Sequence, residues 1–473
     1  MGGTQQGGGG TTVVGGSTET GGVSELGGAT DNGGATDIGG TTDIGGSMET
    51  GGVTDLGGTS AVGGKTSAGG AAGGKGGSLA PGGTSASAGR TATGGATGPA
   101  GGTTSAAGAA GAPPPGSVPA GYPAPTPDNY AKCTKVAIGT NDACGGQPSG
   151  NICIQCLFGG TDYNASETTP TAAATSAAGN YVVTVQLGGA AAGDTYVSAE
   201  STRGMLQSVA TTAGQTLTYA FVVNVRAMEG QPNHAGGPGG YPGLDLFFSG
   251  KNPQVTAIGY QLATTATQPI MVYIASDSTT CDQTGGAFGG WGQMLPEYFG
   301  PPVGIANYAN SGASSSSFYG SSDKWGAIKT KWTKGDWAMI QFGHNDKNTA
   351  DSVVQANLTK YVNDAKAAGV NAILVSPPPR VGSIPIGDQT GTSGVHAAAA
   401  QAAATAGGVP YIDLTALATA WYNTLANKTA AMAYHANGTD GTHTNLPGAD
   451  KLAGIVAKAI KDQNIGLAPY LRQ

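Results

Sequence analysis

The chain has 473 residues, of which 86 are glycine and only 10% are charged, so a large part of it lacks the material for a packed core. Its formal net charge is −7, and its 21 Lys and Arg are scattered without a basic stripe, which excludes nucleic acid as a partner because a phosphate backbone would be repelled. No stretch approaches the roughly 18 apolar residues that cross a bilayer, so no membrane-spanning segment is expected.

Residues 1–129 read as a disordered low-complexity spacer. From Gly21 the chain repeats every six residues, as GGVSEL, GGATDN, GGATDI, GGTTDI, GGSMET, GGVTDL and GGTSAV. A hexapeptide period suits a β-helix, and Asp beside Gly-Gly has a loose likeness to calcium-binding repeats. Those repeats, however, run over nine residues, and the apolar position here is often Asn, Thr or Ala. Too little apolar surface is available to offset the chain entropy, and a flexible spacer is the better account. Pro113-Pro-Pro-Gly116 and the prolines from Pro119 to Pro127 stiffen its end toward polyproline conformation, with order expected near Tyr130.

Residues 130–159 form a Cys-rich segment, with Cys133, Cys144, Cys153 and Cys156 close together. Two local disulfides are the simplest reading. A zinc knot is the competing one, but it lacks the second close cysteine pair of zinc ribbons. Cys281 reads as a small buried residue. The Met1-Gly-Gly start lacks the charged and apolar regions of a signal peptide. Cysteines and spacer nevertheless suit an extracellular or surface-tethered protein, whose initiator is then expected upstream.

Residues 160–268 carry short β-branched and aromatic runs bounded by turns: Tyr181–Leu187, Thr195–Ser198, Leu217–Val225, Leu244–Phe248 and Val255–Tyr260. They predict a small antiparallel β-sandwich. Tyr241 or Tyr260 could stack on sugar, but core or loop packing is the simpler account of these rings. Residues 269–473 change to an α/β pattern. Strands are predicted at Ile270–Ile274, Trp337–Phe342, Ala372–Val375 and Tyr411–Leu414, and helices at Val353–Ala368 and Gly448–Gln463. Alternation at this spacing predicts a parallel sheet covered on both faces, with its active site at the carboxyl ends of the strands.

Three separated pieces in this last segment carry chemistry. Ser278 follows the first strand within four residues, where a hydroxyl can be a nucleophile or merely a helix cap. His443 lies in the turn-rich loop Asn437–Pro447, with Asp440 three residues before it. The imidazole suits a general base and the carboxylate its orienter, whereas an Asx-turn with a solvated His is the bland alternative. Asn345, at the end of the strand that starts at Trp337, and Gly312, in Asn310-Ser-Gly-Ala313, can join the Ser278 N–H as donors to an oxyanion, or can be ordinary turn residues. No metal or cofactor is called for, and His234, His344, His396 and His435 receive no catalytic or metal-binding role.

Ser278, Gly312, Asn345 and His443, in this order and with Asp440 in Asp-x-x-His, resemble the four blocks of the SGNH or GDSL-type hydrolases. Ile340-Gln-Phe-Gly-His-Asn-Asp346 and Asp440-Gly-Thr-His-Thr444 are similar to the rhamnogalacturonan acetylesterase branch. The β-rich stretch is similar to a domain that often precedes the hydrolase domain in bacterial members. The resemblance covers roughly residues 160–473. It implies a flavodoxin-like three-layer α/β fold, no metal, and removal of O-acetyl groups from a plant cell-wall polysaccharide, rhamnogalacturonan or pectin, through an acyl-serine intermediate. One departure stands out: the family has Gly-Asp-Ser where this chain has Ser276-Asp277-Ser278. If that glycine supplies a positive φ, Ser276 is strained and turnover falls. A carbohydrate-binding surface protein with an impaired hydrolase fold is therefore the rival reading, and acetylated xylan or another acyl ester the rival substrate.

Overall fold

Ile270-Met-Val-Tyr-Ile-Ala275 is a β-branched run buried along its length except at its first residue, as befits a central strand covered on both faces. A computed structural model describes residues 118–137, 151–158, 178–200, 202–226, 243–283, 287–387, 389 and 395–472. The hexapeptide repeats, Cys144, His234 and Tyr241 lie outside the described residues.

The strands, in chain order, are β1 (Thr134–Ala137), β2 (Ile152–Phe158), β3 (Gly179–Gly188), β4 (Gly193–Ala199), β5 (Arg203–Thr211), β6 (Thr216–Val225), β7 (Leu244–Gly250), β8 (Val255–Leu262), β9 (Ile270–Ala275), β10 (Val303–Asn307), β11 (Trp337–Ile340), β12 (Asn371–Val375) and β13 (Tyr411–Ile412). The larger helices are α1 (Asp351–Ala367), α2 (Ala397–Gly407), α3 (Leu414–Tyr422) and α4 (Leu446–Asp462). Strands β13, β12, β11, β9 and β10 lie side by side and parallel. Counted within this half, that is the flavodoxin-like order, with β9 and β11 flanking the point where the winding reverses and a crevice opens at the carboxyl edge.

The strand alternation divides the core into two layers. Val272, Ile274, Ile305, Met339 and Ile373 face one side and pack against α3 and α4. Met271, Tyr273, Ala306, Ala338 and Ile340 face the other and pack against α1 and α2. The stripe expected on α1 is the one buried: Val354, Leu358, Tyr361, Val362 and Ala365.

The β-rich segment departs from the expected free-standing sandwich. A five-stranded sheet in the order β1-β2-β7-β4-β5 faces β3, β6 and β8 across a core that includes Ile154, Phe158, Val185, Leu187, Leu246 and Phe248. The second layer is not separate, because β6 pairs in parallel with β10, so one eight-stranded sheet runs from β13 to β8. Val182 and Val222, on the other face of β3 and β6, belong to the core between the parallel strands and helices α1 and α2. The expected boundary near residue 268 is thus no break in the sheet. The reason lies in β6, whose run from Ala220 to Val225 is buried on both faces and needs a partner on each edge.

Two other boundaries move. The Cys-rich segment supplies β1 and β2 to the five-stranded sheet, with Cys133 joined to Cys156 and Cys153 also disulfide-bonded. The last part of the expected spacer, residues 118–129, is strapped across β8: Thr126 exchanges two backbone hydrogen bonds with Ile258, and the Thr184 hydroxyl donates to the Pro123 carbonyl. Prolines lack a donor but keep their carbonyls, so such a segment can still accept bonds from a sheet. Tyr260 is half-buried and stacks on Phe158 with ring centroids 4.3 Å apart, which is the packing alternative for that ring.

Candidate active site

Everything converges at the carboxyl ends of β9 and β11. The chain leaves β9 at Ala275 and turns at once, with the Thr280 N–H donating to the Asp277 carbonyl at 3.1 Å. Ser278 sits in that turn, 5% exposed, and its hydroxyl is 2.9 Å from His443 Nε2. His443 Nδ1 lies 2.7 Å from Asp440 Oδ2. The other oxygen, Asp440 Oδ1, accepts the N–H groups of Thr442 and His443 at 2.7 and 3.0 Å. Asp440 therefore makes the Asx-type turn and contacts the imidazole together. Its burial raises the carboxyl pKa, but the His443 ring and these N–H donors outweigh that and hold it far below the usual carboxylate range.

The loop bearing His443 is anchored at both ends. Asn445, two residues on, caps α4 by accepting the Gly448 N–H at 3.0 Å, and Pro447 occupies the first turn, where its missing donor costs nothing. On the other side the Ala436 N–H donates to the His443 carbonyl at 2.9 Å, and the Val381 N–H donates to the Gly441 carbonyl at 2.8 Å. Phe288 meets the His443 ring edge-on, with centroids 6.0 Å apart.

The two proposed oxyanion donors beyond Ser278 lie on neighbouring loops. Gly312 is the third residue of the turn Asn310–Ala313, where its φ of +73° is the left-handed value that favours glycine. That turn is tied to the segment that carries Ser278, since the Asn310 N–H donates to the Ser276 carbonyl at 3.0 Å. Asn345 lies in the short 3-10 turn His344–Asp346 after β11, and its amide donates to the Ala313 carbonyl at 3.1 Å. An amide nitrogen carries two hydrogens, so this bond still leaves one to aim elsewhere.

Ser276 is not strained. Its φ is not among the positive values, and its buried hydroxyl is 2.7 Å from Thr280 Oγ1 and accepts from the Gln341 amide at 3.1 Å. The expected backbone strain at Ser276 is overturned, because the turn does not use a left-handed residue at this point.

A family profile described as GDSL-like lipase/acylhydrolase matches residues 277–451. The rhamnogalacturonan acetylesterase RhgT of Bacillus subtilis (strain 168) is 31% identical over 221 residues, which is 43% of this chain and 95% of that protein. This chain belongs to the GDSL-like lipase/acylhydrolase family. It is a carboxylic ester hydrolase. The probable rhamnogalacturonan acetylesterase YesY of the same organism is 27% identical, over 41% of this chain and 94% of that protein. The solved structure of the YxiM protein from Bacillus subtilis is 21% identical with a TM-score of 0.41, over 71% of this chain and 89% of that one.

Some residues around this hydrolase's site had no role legible in the sequence: Gln341 stood only within the Ile340–Asp346 string, and Phe288 lay in no motif. His344 is buried next to the site, where desolvation, then the Arg380 and His443 charges, press its pKa well below the ordinary histidine value; its Nδ1 accepts from Arg380 Nε at 3.3 Å. His435 is buried under the His443 loop with its Nε2 2.8 Å from the Tyr422 hydroxyl, and burial lowers its pKa too. His396 lies away from Ser278, between the Asp351 carboxylate at 2.6 Å and the Asp346 carbonyl at 2.9 Å. Asp277, beside Ser278, is pushed up to about 6 by burial despite two hydrogen bonds from Thr279. Cys281 is fully buried and unbridged, its thiol pKa raised by desolvation, in keeping with a packing residue.

Proposed function

We propose that this protein removes O-acetyl groups from a polysaccharide through an acyl-serine intermediate, with rhamnogalacturonan or pectin as the leading substrate. The observation that carries the reading is the unbroken line from the Ser278 hydroxyl through the His443 ring to the Asp440 carboxylate, at 2.9 and 2.7 Å. In this account Ser278 Oγ attacks the acetyl carbonyl while His443 Nε2 takes its proton. Asp440 accepts from Nδ1, which fixes the tautomer and stabilises the imidazolium. The negative oxygen of the tetrahedral intermediate is held by the N–H groups of Ser278 and Gly312 and by the free hydrogen of the Asn345 amide.

Collapse expels the sugar alkoxide, which leaves as an alcohol with the proton from His443. Water, deprotonated by His443, then attacks the acetyl-serine and releases acetate. The substrate class is supported by RhgT and YesY, whose names are those of rhamnogalacturonan acetylesterases and whose lengths this chain spans almost entirely. An extracellular or surface-tethered setting fits a polymeric substrate and the disulfide at Cys133–Cys156.

An acetate-release assay on acetylated rhamnogalacturonan, acetylated xylan and a chromogenic acetyl ester tests the proposal. Release is expected from the pectic polymer above the others, and Ser278→Ala is expected to abolish it. Full rate in that variant would remove the mechanism. Faster release from xylan would move the substrate assignment and leave the chemistry in place.

A further inference from the structure

The turn that carries Ser278 is gripped from beneath by one side chain. Gln341 follows β11 directly, and its backbone N–H donates to the Ala275 carbonyl at 3.0 Å, which brings its side chain under the nucleophile turn. The Gln341 Oε1 accepts the indole N–H of Trp291 at 2.7 Å. An indole nitrogen can only donate, so this bond fixes which end of the amide faces which neighbour. The Nε2 end must then face the turn. There it lies 2.8 Å from Thr279 Oγ1, 3.1 Å from Ser276 Oγ and 3.5 Å from Asp277 Oδ1.

Those contacts bracket the nucleophile, one of them two residues before Ser278 and another one residue after it. Thr279 Oγ1 passes its own hydrogen to Asp277 Oδ1 at 2.7 Å, and Ser276 Oγ pairs with Thr280 Oγ1 at 2.7 Å. Trp291, Ser276, Thr280 and Gln341 are wholly buried, with Thr279 3% exposed. Asp277 Oδ2 is left without a partner among the described residues, but the bonds among Gln341, Trp291, Ser276, Thr279 and Thr280 are buried. A buried network of this kind rigidifies what it holds, since water cannot stand in for a missing member without room.

We propose that Gln341 is a positioning residue for Ser278, and that the Ser276 hydroxyl, standing where the family signature has glycine, is an acceptor through which it acts. The proposal rests on Ser278 being the nucleophile. The amide holds the turn so that the Ser278 hydroxyl keeps its 2.9 Å approach to His443 Nε2 and its N–H keeps its aim at the oxyanion. A displacement of about 1 Å in such a geometry costs on the order of a hundredfold in rate. Because neither side chain faces the acetyl group, the effect belongs in kcat and not in KM.

Steady-state kinetics on a chromogenic acetyl ester with Gln341→Met, Ser276→Ala, Ser276→Gly and the double variant Gln341→Met/Ser276→Ala tests this, each checked by circular dichroism for native structure. Gln341→Met is expected to lose about tenfold to a hundredfold in kcat with KM within about twofold. Ser276→Ala and Ser276→Gly are expected to lose about threefold to tenfold, again in kcat, and the double variant to be little worse than Gln341→Met alone because the two act as one unit. If Gln341→Met fails to fold, the two Ser276 variants decide the matter. Unchanged kcat in both of them, a loss confined to KM, or losses that multiply in the double variant would overturn the inference. Ser278→Ala run alongside separates the two levels: if it is dead while the Ser276 and Gln341 variants are fully active, only the positioning role falls, and if it is active the nucleophile assignment falls as well.

Discussion

The two ends of the large sheet do different work. The parallel end, from β9 to β13, holds every residue assigned to bond-making, all on loops at the carboxyl edge. The antiparallel end, β3, β6 and β8 with the five-stranded sheet over it, holds none, yet it grips the segment after Ser278, which a separate β-sandwich would not do. Arg203 at the start of β5 binds Asp282, four residues after Ser278, through Nε at 2.9 Å and Nη2 at 2.6 Å. Asn307 at the end of β10 satisfies the other Asp282 oxygen at 2.7 Å, and the Thr202 hydroxyl donates to the Gln283 carbonyl at 2.6 Å. The chemistry is concentrated in one half, and the placement of that chemistry is shared by both.

This division can be broken at the chemical end first. His443→Ala should reduce kcat by about ten-thousandfold with a urea-midpoint shift well below that of a core truncation, as follows from the general-base role proposed above. A midpoint shift as large as a core truncation gives would show that the imidazole is structural instead.

At the other end the expected signature is the reverse. Arg203 and Asp282 have side-chain exposures of 1% and 0%, so Arg203→Met removes a charged partner from a buried carboxylate and should cost about 3–5 kcal/mol in urea unfolding. Arg203→Met/Asp282→Leu should recover most of that stability, because a buried pair exchanged for apolar groups is often neutral. Failure of the second change to rescue would mean that Asp282 serves Asn307 more than Arg203.

The junction between the halves predicts a pH effect. Glu297, between β5 and α4, accepts the Tyr196 hydroxyl at 2.6 Å, and burial, then Asp450, raises its pKa from 4.5 to about 8. Its folded form thus holds a proton that the unfolded chain gives up. This contribution to stability is complete below pH 4.5 and is lost as pH climbs to about 8. Glu297→Gln should flatten that fall by about 2–4 kcal/mol in unfolding measured across the window. An unchanged slope would place the carboxyl in contact with water. The smallest effect is expected at Cys281→Ala, about 1 kcal/mol of stability with kcat unchanged, since the thiol is buried packing beside the nucleophile turn.

Some of this was legible early for clear reasons. The stripe on α1 follows the helical period, and Ile270–Ala275 has the apolar run of a doubly covered strand. Ser278, Asn345 and His443 sit just past strands or before a helix, where turn residues advertise a loop. Other elements had no local signal. Helix α2 is an alanine run with no polar face to set a period, β5 mixes buried Met205 and Leu206 with exposed Gln207 and Ser208, and the cysteines of β2 spoke of disulfides before they spoke of a strand.

By itself the amino-acid order determined the alternation of strands and helices and the family signature carried by segments at strand ends, because periodicity, turn residues and side-chain chemistry are properties of short segments. Only the tertiary structure decided that β6 joins β10, that the β-rich half is continuous with the hydrolase sheet, that Ser276 rests without strain, and that Gln341 lies beneath the nucleophile. Those facts depend on which distant edges and buried polar groups meet, and a hydrogen bond between residues 65 positions apart, such as that from Gln341 to Ser276, leaves no mark on either stretch of chain alone.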